Sequence, residues 1–269
     1  MNNESSLDAI NRLVTIEDHS ASFPVQPIGN AWSRHYFDGP FYVHELPPKL
    51  PAISLVFVQT RDGNTGAEKP SELGGGPTDK HLIYEGLSRV AADAVLAGAG
   101  TVGHNVLFSI SQPGMLDLRA ELGLPRHLVQ MVLSAAGHID LSARIFSTPD
   151  VRVLLLAGEG CERAVSGQLR SRPWITLIPI RDSVALALEC ARREHGIHRI
   201  SAIGGRHAAT SLIDAGLVQD LYLTTSGNDG GEDGTPWYVG TRRPRLETVV
   251  RKREVTVRSP LLFEHLMIR

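Results

Sequence analysis

Residues 94–103, AVLAGAGTVG, constrain this chain more than any other stretch. A short apolar run breaks into glycines where a β-strand hands over to a helix, and Gly98, Gly100 and Gly103 fall at the G-x-G-x-x-G spacing. Glycines so placed let backbone N–H groups approach a pyrophosphate with no Cβ in the way and aim a helix N-terminus at it. The same pattern also marks plain strand-to-helix turns, so the choice between a phosphate cradle and a turn rests on the remaining sequence.

A second strand end repeats the device. Ile203-Gly204-Gly205 closes an apolar run over 200–203 and launches a helix over 207–215 that Gly216 terminates. Two glycine-ended strands suffice to hold the two ends of one extended, phosphate-containing ligand. Further strands are predicted over 53–59, 127–134, 151–157, 175–179 and 220–225. Helices are predicted from Pro77-Thr78-Asp79 onward, where Leu82, Ile83, Leu87, Val90 and Ala91 share a face, and over 183–195. Such alternation predicts a mostly parallel sheet covered on both faces. Runs over 246–256 and 261–268 add a C-terminal antiparallel hairpin. A Rossmann unit is a poor fit: Pro113-Gly114 shortens the helix after the glycines, and Glu121 comes before the next strand and not at its end.

Ahead of this body, Leu7, Ile10, Leu13 and Val14 predict a short amphipathic helix within residues 4–18, packed on the outside or against a partner. Residues 20–51 are rich in Pro, Gly and aromatics and predict an ordered arm. The division is therefore residues 1–50 as helix and arm, and 51–269 as the main body. A hydrophobic content of 42% fills a core, and a net charge of −2 attracts neither nucleic acid nor an anionic membrane. Small-molecule chemistry is the class left. Cys161 and Cys190 stand in no metal-like spacing, nor do His104, His127 and His207, so no metal is expected and a reducing cytoplasm fits. No run is long enough to span a membrane. The run Arg242, Arg243, Arg245, Arg251, Lys252, Arg253 reads either as the exposed side of a hairpin or as a patch that greets a phosphate.

Four segments in order, VFVQTRDGNTG, LSRVAADAVLAGAGTVGHN, HLVQMVLS and ISAIGGRHAATSLIDAGLVQDLYL, resemble the reductase domain of bacterial riboflavin biosynthesis from about residue 51 onward. The resemblance implies an α/β chain of the dihydrofolate-reductase-like three-layer fold, NADPH as cofactor, a small-molecule substrate and a homodimer. In the family reaction, 5-amino-6-(5-phosphoribosylamino)uracil opens to a Schiff base and hydride passes from the nicotinamide C4 to C1′. Carried over by position, Thr60, Gly98, Gly100, Thr101, Asn105 and Ser134 (or Ala135, one register on) fall where the family contacts the cofactor, as do Gly204, Gly205, Arg206, His207 and Ala208. Arg206 and Arg163 are candidates for the 2′-phosphate. Arg89 matches an arginine that holds the substrate's ribose phosphate. Asp79 stands where dihydrofolate-type enzymes keep a substrate carboxylate, or else caps its helix. Asp62 either orients a ligand or serves a D-G turn.

Two departures put the substrate in question. Ile203 replaces the glutamate the family places before the glycine pair, and Leu73-Gly74-Gly75-Gly76 replaces its Ser and Trp. A dihydrofolate-like or specialised-metabolite reductase is the enzymatic alternative, and a nucleotide-binding module without turnover the other. The zinc deaminase signature, H-x-E with P-C-x-x-C, is missing.

Overall fold

The computed structural model describes residues 10–68, 70–103, 106–134, 139–255 and 258–269. The strands are β1 (Leu13–Asp18), β2 (Val25–Ile28), β3 (Phe41–His44), β4 (Ala52–Gln59), β5 (Ala94–Gly98) and β6 (Val129–Ser134). They continue as β7 (Val153–Ala157), β8 (Ile175–Pro179), β9 (Arg199–Ile203), β10 (Asp220–Thr225), β11 (Leu246–Glu254) and β12 (Leu262–Ile268). One sheet of ten strands runs β1-β11-β12-β10-β4-β9-β5-β6-β7-β8, and β2 pairs with β3 separately. From β10 to β8 every pairing is parallel. The edge made by β12, β11 and β1 is antiparallel.

The parallel strands are apolar on both faces because helices cover both. In β7 alternate residues divide between two cores: Val153, Leu155 and Ala157 on one side, Leu154 and Leu156 on the other. The first core is closed by Leu82, Ile83, Leu87 and Val90, with Phe37 and Phe41 of the arm. The second is closed by Ala187, Leu188 and Ala191 of the helix Val184–His195, and by Ala209 and Leu212 of the helix Arg206–Asp214. These are the three layers that the sequence predicts, with the antiparallel strands at the C-terminal end.

The N-terminal segment differs from expectation. Residues 13–18 form strand β1, which pairs along β11, so this segment extends the sheet where a helix was expected. Leu13 is buried and the rest of the strand is half-exposed edge; only Leu13 and Val14 of the four apolar positions lie in it, so pairing with β11 and not a local period sets its form. Leu7 lies outside the described residues. A helix over Glu159–Leu169 was not expected, because it buries only Cys161 and Val165 and leaves no apolar stripe to read.

The helix that opens at Gly76–Thr78 continues through a π-helical section, Asp79–Leu87, and ends as Ser88–Val90. Neither Thr78 nor Asp79 caps it through a side chain. The Thr78 hydroxyl instead donates to Glu254 Oε1 at 2.7 Å, while Asn11 donates its backbone N–H to Thr78 Oγ1 at 3.0 Å and its amide to Glu254 Oε1 at 2.9 Å. At the other end, the buried Arg119 guanidinium donates to the carbonyls of Val90 (3.2 Å) and Ala92 (2.6 Å) and shares the Arg89 carbonyl (3.2 Å) with Ala92 N (3.0 Å), closing the end of the helix.

Candidate functional site

The two glycine turns meet. Strands β5 and β9 are parallel neighbours in the register Ala97 to Ile203, so both chains leave the sheet side by side at its C-terminal edge. Gly204 and Gly205 have φ of +58° and +74°, a backbone that side-chain-bearing residues rarely adopt. A Cβ on Gly204 would lie 3.1 Å from Thr101 Cγ2, and one on Gly205 would lie 3.0 Å from Thr101 Oγ1. A Cβ on Gly98 would meet the Ala208 methyl at 3.4 Å. Gly98, Thr101, Gly204, Gly205 and Ala208 therefore line one continuous surface. No side chain caps the helix Arg206–Asp214, which leaves the N–H groups of Arg206, His207 and Ala208 without an intrahelical partner at the positive end of its dipole. Such a surface has the chemistry to accept an anion such as a pyrophosphate.

Other candidates extend or leave this surface. Gly100 and His207 are exposed beside it. Ser134 ends β6, one strand beyond β5, and its carbonyl accepts from Gly158 N at 2.8 Å. Asn105 and Ala135 lie outside the described residues. Arg163 is exposed and paired with Glu159 at 3.5 Å. Thr60 is fully buried and its hydroxyl donates to the Gly230 carbonyl at 2.9 Å, so its side chain secures a loop and is not free for a cofactor. Asp62 does similar work by accepting from Gly230 N at 3.1 Å. Together with Thr65 N donating to Thr235 O at 2.7 Å, these bonds zip the loop after β4 to the loop after β10.

Asp79 is the ionisable group at the mouth of this zipped pair of loops. It is 8% exposed, and burial raises its carboxyl to about 6, against a smaller lowering by the Thr224 hydroxyl alongside. Neither Asp79 Oδ1 nor Thr224 Oγ1 has a hydrogen-bond partner. A Cβ on Gly75 would sit 2.9 Å from Asp79 Oδ2, so the glycine stretch folds its backbone directly over the carboxylate. The two groups lie close enough for the hydroxyl to act on the carboxyl without a well-formed hydrogen bond between them, which leaves both with capacity for a ligand. Thr224 gave no signal in the sequence: it becomes a site residue only because β10 pairs with β4, a long-range register no local pattern encodes.

Arg89 is not at the pocket rim. It precedes β5, whose five residues at about 3.3 Å each put it about 16 Å from the glycine turn, at the opposite edge of the sheet. Its guanidinium is 2% exposed, stacks 4.2 Å from the Tyr84 ring centroid and donates to the Ser109 carbonyl at 2.6 Å. It is neither a solvated charge nor placed to hold a substrate phosphate beside the glycines. On the surface, Cys190, Glu194 and His195 bring potential ligand atoms within 4.8 Å of one another, but the Arg152 guanidinium sits 2.8 Å from His195 Nδ1 and takes its lone pair.

A comparison with curated proteins finds no match. Among solved structures, a pyrimidine reductase-like protein of Corynebacterium diphtheriae is similar at 20% identity and a TM-score of 0.61, over 81% of this chain and 92% of that one. RibD of Acinetobacter baumannii is similar at 13% identity and a TM-score of 0.64, over 82% of this chain but only 59% of the other. The riboflavin biosynthesis reductase Rib7 of Saccharomyces cerevisiae is similar at 14% identity and a TM-score of 0.55, over 83% and 93%. These likenesses fix the fold as dihydrofolate-reductase-like. The family model of the RibD C-terminal domain matches residues 51–247, which span both glycine turns, Asp79 and Thr224, and the chain belongs to that family.

Proposed function

We propose that the protein is an NADPH-dependent reductase that transfers hydride to a pyrimidine-like substrate, working as a homodimer in the cytoplasm. The observation that carries the reading is the unpaired Asp79–Thr224 couple at the same edge of the sheet as an uncapped, glycine-lined helix start. Thr224 lies on β10, two strand spacings or about 10 Å from β9, which leaves room for a nicotinamide and a substrate ring between them.

The residues fit the cofactor, since Gly204 and Gly205, at φ of +58° and +74°, let the backbone close against Thr101 and leave the uncapped helix start bare for a pyrophosphate. When bound, NADPH supplies the hydride. The chain's own part is alignment: the N–H groups of Arg206, His207 and Ala208 hold the diphosphate, and Arg206 serves the 2′-phosphate that distinguishes NADPH from NADH. Asp79 Oδ1 accepts an N–H of the substrate ring, and its raised pKa keeps a proton within reach at mildly acid pH. The zipped loops after β4 and β10 exclude water from the transfer.

A second reading, an unphosphorylated pterin-like substrate, is favoured by the placement of Arg89 at the far edge of the sheet and by Ile203 before the glycine pair. Oxidation of NADPH, followed at 340 nm (about the nicotinamide band), tests both with 5-amino-6-(5-phosphoribosylamino)uracil and with dihydrofolate in parallel. Turnover of the aminopyrimidine is the expected result, turnover of dihydrofolate alone selects the second reading, and oxidation with neither leaves a nucleotide-binding module.

A further inference from the structure

A second cavity, of about 480 Å³, opens at the edge of the sheet opposite the glycine turns. It lies between the C-terminal part of the helix Arg206–Asp214, the start of β10 and the end of β12. Small-molecule sites span about 300–1,000 Å³. One wall is apolar, with Val218, Pro244 and Met267, and the other carries Arg242, Arg243 and Arg269.

The charge on that wall is not balanced locally. Glu247 serves two guanidinium groups at once, Arg245 at 2.9 Å and Arg269 at 2.8 Å. Arg242 and Arg243 have no ion pair among the described residues, and both are exposed. His44 also lines the cavity, with its Nδ1 engaged by the Asp220 carboxylate 3.6 Å away. Guanidinium forks match the oxygens of a phosphate, whereas the facing wall is suited to a ring or alkyl body.

We propose that this cavity is a second ligand site, remote from hydride transfer, for a phosphate monoester with an apolar body. The phosphate sits on Arg242 and Arg243 and the body on Val218, Pro244 and Met267. Occupancy of this site is independent of the cofactor, because β10 separates it by its full length from Thr224 and the strand ends that carry the glycines.

The test uses the full chain with 1-naphthyl phosphate, followed by the probe's own fluorescence anisotropy. The paired substitution Arg242→Ala with Arg243→Ala removes two exposed side chains and should weaken binding by about tenfold or more, with unchanged circular dichroism. The Gly205→Val variant should bind the probe as the unaltered protein does, and inorganic phosphate should bind more weakly than the naphthyl ester. No anisotropy change with the unaltered protein overturns the proposal. So does equal binding by the paired arginine variant, loss of binding in Gly205→Val, or inorganic phosphate binding as tightly as the ester.

Discussion

Thr101 and Gly205 stand so close that a Cβ on the glycine would lie 3.0 Å from the threonine hydroxyl. They come from turns more than a hundred residues apart in the chain, and their contact makes one surface of two separate glycine-ended strands. Gly205→Val meets both this crowding and a φ of +74°, a conformation that costs a non-glycine residue about 1–3 kcal/mol. The variant should stay folded and bind NADPH about 100-fold more weakly. An unchanged affinity by titration calorimetry would refute the cradle.

Asp79 makes stability depend on pH in a definite direction. Its carboxyl moves from 3.8 to about 6 on burial, so the folded state holds the proton more tightly than the unfolded one. Stability from this group is complete below pH 3.8 and is lost as pH rises through about 6. Asp79→Asn has no such loss and should gain on the order of 3 kcal/mol over the parent between acid and neutral pH, while turnover falls about 100-fold. Thermal melts of both proteins from pH 4 to 8 would show a constant difference if the carboxylate were not buried as described.

Arg89→Ala should leave KM for a phosphorylated substrate within about twofold of the parent. It should instead lower stability by about 2–4 kcal/mol, through the cavity beside Tyr84 and the lost bond to Ser109. A large rise in KM at unchanged melting temperature would return Arg89 to the substrate.

Arg119→Ala removes the donor to the Val90 and Ala92 carbonyls at the end of the Asp79 helix and leaves the Arg89 carbonyl only its bond from Ala92 N, and the cost should be about 2–4 kcal/mol. Arg119→Lys, which carries the charge without the fork, should recover only part of it. Urea unfolding that gave equal midpoints for Arg119→Ala and the parent would dismiss the cap.

What the sequence made legible was whatever local pattern encodes. Strands β8 and β10 fall at their expected bounds because each is an apolar run between turn residues, and the helix Val184–His195 starts after its Ser183 cap as the pattern requires. The glycines that end β5 and follow β9 were legible as strand-to-helix turns for the same reason. Arg89 was not, since helical position says nothing about which edge of the sheet the helix end reaches. Thr60 reads as a polar residue at a strand end and proves buried only when Gly230, 170 residues on, folds back to it. Edge strand β1 and the helix Glu159–Leu169 bury too few side chains to leave a period.

Asn11 and Glu254, joined beside Thr78, are 243 residues apart in the chain. The clasp they form holds Thr78, the residue before Asp79, so the carboxylate is set by closure of nearly the longest loop the chain can make. Long loops are closed at an entropic cost that only the completed sheet repays. The glycine turns after β5 and β9 lie between paired parallel strands and need none of this, so loosening the ends of the chain disturbs the Asp79 side of the surface and leaves the glycine side in place.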